Sequence, residues 1–87
     1  MRSPSNPYAA IIDLKEPIVP TIKAMIESVL GVASGVRDVR VLMDRPRIVL
    51  SFDGSTTALG DIVATIERHG WPVRMVAQRR ISEPELA

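Results

Sequence analysis

Apolar positions recur along this chain with two different periods, and the switches between them mark out six elements. Val39, Val41 and Met43 alternate with Asp38, Arg40 and Leu42, a period near two that suits a strand. Arg45-Pro46 interrupts it, because proline fixes φ and offers no ladder donor, and Ile48-Val49-Leu50-Ser51-Phe52 resumes the extended pattern. Asp53-Gly54-Ser55-Thr56 is turn chemistry ending in a candidate helix N-cap. Leu59, Ile62, Val63 and Ile66 then fall on one helical stripe, which Gly70 closes and Pro72 stops.

The same reading covers the flanks. Tyr8 to Lys15 is apolar and β-branched enough for a first strand, and Pro20 suits the first turn of a helix. Ile22, Met25, Ile26, Val29, Leu30 and Ala33 follow at spacings of three and four, while Gly31 weakens the last turn by about 1 kcal/mol relative to alanine. Val73 to Val76 is a short final strand. Strands are therefore expected near residues 8–15, 36–44, 47–53 and 73–77, with helices near 20–33 and 57–69. Residues 1–7 read as a flexible lead-in and 78–87 as a polar tail or linker, leaving 8–77 as the domain.

The order β-α-β-β-α-β, with right-handed crossovers and a central hairpin, predicts an α+β ferredoxin-like sandwich. It is a four-stranded antiparallel sheet with both helices on one face. Ile26, Val41, Leu50, Ile62 and Ile66 lie on its inward stripes, and the methionines Met25, Met43 and Met75 read as core filler. The fold hosts many functions, so function must come from a site.

Composition narrows the chemistry. At 87 residues the chain makes one small domain, and 46 % apolar content supports a packed core that is aliphatic because only Tyr8, Phe52 and Trp71 are aromatic. A net charge of +1 with interspersed signs argues against a dedicated nucleic-acid or membrane surface. There is no cysteine, which excludes disulfides, thiolate metal sites and cysteine nucleophiles. No stretch approaches the ~18 apolar residues of a membrane span, and a cytoplasmic location is the expectation.

Several segments together resemble the heavy-metal-associated domain, the family of soluble copper and mercury chaperones and of the N-terminal modules of metal-pumping P-type ATPases. They are Gly35-Val36, Val39-Arg40-Val41, Ile48 to Asp53, Ile62 to Ile66 and His69-Gly70-Trp71-Pro72-Val73, and the resemblance spans roughly residues 8–76. The family holds soft ions with two thiolates in a G-M-x-C-x-x-C loop between the first strand and first helix. The corresponding segment here is Glu16-Pro17-Ile18-Val19-Pro20-Thr21-Ile22, with Val19 and Ile22 where the cysteines would be. Neither side chain can ligate a metal.

The resemblance therefore implies a degenerate metallochaperone-like domain with no metal site, no cofactor and no catalysis. It would act as a protein-interaction or regulatory module linked to metal transport or homeostasis. Its partner would be a protein, such as a metal-transport ATPase or related domain, and the docking residues would be Pro17, Ile18, Val19, Pro20 and Trp71. One alternative is a metal carrier using His69, Met75 or Asp13. Another is a small-molecule-sensing regulatory domain that dimerises through its sheet.

The remaining candidates have plainer readings. His69, beside the helix-ending glycine, suits a helix cap better than a ligand set. Asp13, Asp38, Asp44, Asp53 and Asp61 show no acid–base spacing, and Asp53-Gly54-Ser55 is a turn rather than a calcium loop. Arg45, Arg47, Arg68, Arg79 and Arg80 read as solvated surface, since an RNA-reading sheet would need exposed aromatics and only Phe52 lies on a central strand.

Overall fold

The computed structural model describes residues 6–81. Its elements are β1 (Pro7–Leu14), α1 (Pro20–Gly31), β2 (Val36–Leu42), β3 (Arg47–Asp53), α2 (Leu59–Arg68) and β4 (Val73–Arg80). The strands form one antiparallel sheet in the order β2-β3-β1-β4, and two helices cover one face. This is the expected ferredoxin-like sandwich.

Alternation along the strands builds the core. Ala10, Ile12 and Leu14 of β1 and Ile48, Leu50 and Phe52 of β3 point to the helices and are buried with Ile26, Leu30, Ile62 and Ile66. All five residues expected on the inward stripes are buried. Tyr8 stacks on Phe52 at a centroid distance of 5.4 Å and lies so close to Gly54 that a Cβ there would meet its ring at 2.7 Å. That contact fixes glycine in the β3–α2 turn.

Caps and turns follow the local chemistry. Asp53 Oδ1 accepts from the Ser55 amide at 3.0 Å and the Ser55 hydroxyl at 2.7 Å, closing the turn expected there. Helix α2 starts later than Thr56, at Leu59, with Ala58 at the N-cap and no side-chain bond. At its other end Gly70 has φ of 90°, its amide reaches the Glu67 carbonyl at 3.0 Å, and the Trp71 amide reaches the Ile66 carbonyl at 3.3 Å. These two bonds form a Schellman cap, which needs glycine at that left-handed position.

The structure departs from the sequence expectation elsewhere too, with β2 ending at Leu42 rather than residue 44. Strand β4 runs to Arg80, because Gln78, Arg79 and Arg80 pair with Ala10, Ala9 and Tyr8 of β1. Of the expected tail, Ile81 follows the strand, and residues 82–87 lie outside the described residues. At the start, Pro7 is already in β1, and the Asn6 amide donates to Asp53 Oδ1 at 3.2 Å. Helix α1 ends at Gly31 rather than Ala33. Met25, Met43 and Met75 are exposed, not core filler: Ile26 takes the inward helix position beside Met25, Met43 lies past the end of β2, and Met75 pairs with Asp13 on the open face of the sheet.

Candidate functional site at the mouth of the first helix

Three connections meet at one end of the sheet: the β1–α1 loop, the β2–β3 hairpin and the α2–β4 turn. Backbone bonds hold them together. The Leu14 amide donates to the Pro46 carbonyl at 3.1 Å and the Lys15 amide to the Pro72 carbonyl at 2.9 Å. The β1–α1 loop therefore starts from a fixed position.

Within that loop the expected docking residues separate. Ile18 is only 4 % exposed and belongs to the core, which corrects its expected place on the surface patch. Val19 is 52 % exposed, and Pro17 and Pro20 are also exposed. Val19 is the N-cap of α1 in an extended conformation with no side-chain bond, Pro20 stands in the first turn, and the Lys23 amide donates to the Val19 carbonyl at 2.9 Å. Ile22, one turn into the helix, is half-buried against the core.

Trp71 is buried at this end of the helix layer, where Ile18 and Ile22 line the same cavity. Its indole stacks on the His69 imidazole at 5.3 Å between centroids and 16° between planes. His69 is the C-cap of α2, with Nδ1 2.8 Å from the Thr65 carbonyl. A cavity of about 200 Å³ opens between these parts, lined by Leu14, Glu16, Pro17, Ile18, Ile22, Gly70, Trp71 and Pro72. Its walls are mostly apolar and its shape is set by the loop bonds and the Schellman cap. It can accept an apolar side chain but offers few polar groups for catalysis.

The sequence reading missed the polar centre at the same end. Asp13 lies on the open face of the sheet yet is 3 % exposed. Arg47, opposite it on β3, donates from Nε to Oδ1 at 2.7 Å and from Nη2 to Oδ2 at 3.2 Å, and Arg74 Nη2 lies 3.7 Å from Oδ2. The Arg47 hydrogen bonds, helped by the charges of Arg47, Arg74 and Arg45, hold the Asp13 carboxyl below its ordinary value against the opposing effect of burial. The signal was present in the chain: an acid between Ile12 and Leu14, and an arginine opening a later strand.

The unusual-ligand alternative gains little from this geometry. Met75 pairs with Asp13 across β1 and β4, but the Asp13 oxygens are committed to Arg47. Among the described residues no three His, Asp or Glu side chains gather as a metal set, and no helix is long and apolar enough to cross a membrane. The structure puts two aromatics on central strands rather than Phe52 alone, since β1 is central too and carries Tyr8. Phe52 is buried and Tyr8 stacks on it against the core, so neither offers a free ring to a base.

Neither protein-family models nor curated proteins give a match. Solved structures do. Oxidised MerP from Ralstonia metallidurans CH34 is similar with a TM-score of 0.72 and 15 % identity, over 78 % of this chain and 94 % of that one. The CopZ metallochaperone is similar with a TM-score of 0.71 and 23 % identity, over 76 % of this chain and 98 % of its own. A protein of Bacillus anthracis str. Ames described as copper-ion-binding has a TM-score of 0.68 and 28 % identity, over 74 % and 90 %. This chain has the fold of those proteins across nearly their whole length.

Proposed function

We propose that this domain is a metallochaperone frame whose metal loop has become a docking surface. It binds a protein partner in metal transport or homeostasis through Val19, Pro17 and Pro20, above the cavity walled by Ile18, Ile22 and Trp71. The observation that carries the reading is the loop itself: Val19 is exposed beside Pro17 and Ile18, which line the apolar cavity, in a chain without a single thiol. Support for the setting comes from the similarity to MerP, CopZ and the copper-ion-binding protein. The partner places an apolar side chain in the cavity and covers Val19, so that burial of apolar surface supplies the affinity. Enzymatic activity has no support in the residues that line this end.

Titration of the 15N-labelled domain with a soluble cytosolic domain of a metal-transporting ATPase tests this reading. Amide shifts should concentrate at residues 16–22 and at the Trp71 indole, and Val19→Glu should weaken binding about tenfold or more. Shifts confined elsewhere, or a partner indifferent to Val19→Glu, would contradict it.

A further inference from the structure

The outer edge of β4 is the open edge of the sheet beside β1. β4 ends the sheet and pairs only with β1, and all its residues except Val73 are exposed. From Met75 to Arg80 its register against β1 is unbroken, with the one irregularity confined to its start beside Leu14. It contains no proline, and a run of ladder donors and acceptors faces outward, with Arg79 on the open face and Arg80, opposite Tyr8, at the end of the helix face. The other edge is protected. β2 has a register shift between Val36 and Asp38 and carries both signs at Arg37, Asp38 and Arg40.

The chemistry of the β4 edge selects its occupant. Ala77 and Ala9 are small, and with Ile11 and Val49 they leave a depression of about 360 Å³ on the open face, reaching Arg79. Val76, on the opposite face of β4, is also exposed. Arg79 and Arg80 have no acidic partner among the described residues, and Arg74 stands at the far end of the strand. A second copy fits poorly. Full-length antiparallel pairing of two β4 strands sets Arg79 of each against Arg74 of the other, and like charges directly opposed destabilise a ladder.

We infer that β4 binds an extended acidic segment of a partner protein by strand addition. Two acidic residues of that segment sit opposite Arg79 and Arg80, and two small apolar residues opposite Ala77 and Val76. Main-chain hydrogen bonds supply affinity, and the arginines and the depression supply selection. This edge is separate from the loop of α1, so the inference does not depend on the docking role proposed there.

The probe is a fluorescein-labelled peptide, Glu-Glu-Thr-Val-Val-Thr-Glu, titrated with the full chain by fluorescence anisotropy and by amide shifts. Binding tighter than about 1 mM is expected, with shifts at residues 74–81 and 9–11. The variant carrying Arg79→Glu and Arg80→Glu should lose about tenfold and prefer the probe in which lysine replaces each glutamate. Methylating alternate backbone nitrogens of the probe should abolish binding. No binding at 1 mM would overturn the inference, as would shifts centred on residues 16–22, equal affinity for the acidic and basic probes, or a β4-mediated dimer in sedimentation.

Discussion

Arg47 holds Asp13 with two hydrogen bonds, from Nε at 2.7 Å and Nη2 at 3.2 Å, across the β3–β1 ladder on the open face of the sheet. The two ends of this pair are unequally exposed: the Asp13 side chain is 4 % accessible and that of Arg47 29 %. Removing either partner therefore has a different cost. Arg47→Ala leaves the Asp13 carboxylate with only the more distant Arg74, and should be the more destabilising change. Asp13→Ala leaves a guanidinium that can turn to water, and should cost less. Urea unfolding of both variants checks the order, and a larger loss for Asp13→Ala would contradict it.

Two carboxylates make stability depend on acid. Asp53 is held down to about 2 by the Ser55 hydroxyl and by the Ser55 and Asn6 amides, and Asp13 is lowered chiefly by Arg47. A carboxyl with a folded value below its unfolded one stabilises fully above the unfolded value, here 3.8. That contribution is lost as pH falls through the folded value. The urea midpoint should fall between about pH 4 and 2. Asp53→Asn should be less stable at neutral pH and show a shallower acid slope than the wild type. An unchanged slope would contradict the Asp53 assignment.

The helix face is tested at Ile66, which is fully buried under the sheet. Ile66→Ala should lower stability by about 2–5 kcal/mol through lost burial and a residual cavity. Thermal or urea unfolding measures it, and a loss below about 1 kcal/mol would mean that α2 packs through another face.

The residues that were easy to read are those whose partners are local or periodic. Ile62 and Ile66 share one helical stripe, and Gly70 before Trp71-Pro72 announces the Schellman cap from three adjacent residues. Strand β4 was read too short because Gln78, Arg79 and Arg80 have no apolar period, and their ladder partners Ala10, Ala9 and Tyr8 lie some seventy residues away. A separation of 34 residues hid the Asp13–Arg47 pair in the same way. Ile18 was read as exposed because a five-residue loop has no period to betray an inward side chain. Its burial depends on Trp71, which comes from the far end of the chain.

A Cu(I) competition assay tests most directly the proposal that this domain is a metallochaperone frame without the metal ligands. The wild type should take no Cu(I) from a chromogenic chelator beyond adventitious surface binding, since Val19 and Ile22 have no lone pairs to donate and the chain has no thiol. Val19→Cys with Ile22→Cys puts two sulfurs three residues apart at the N-terminus of α1. The helix dipole there favours thiolates, and two of them suit a soft ion. The double variant should then gain several orders of magnitude in affinity, with Pro20 between the two positions limiting the gain if it holds the sulfurs apart. Tight Cu(I) binding by the wild type would contradict the missing-ligand claim, and a folded double variant that gains nothing would contradict the assignment of the two positions.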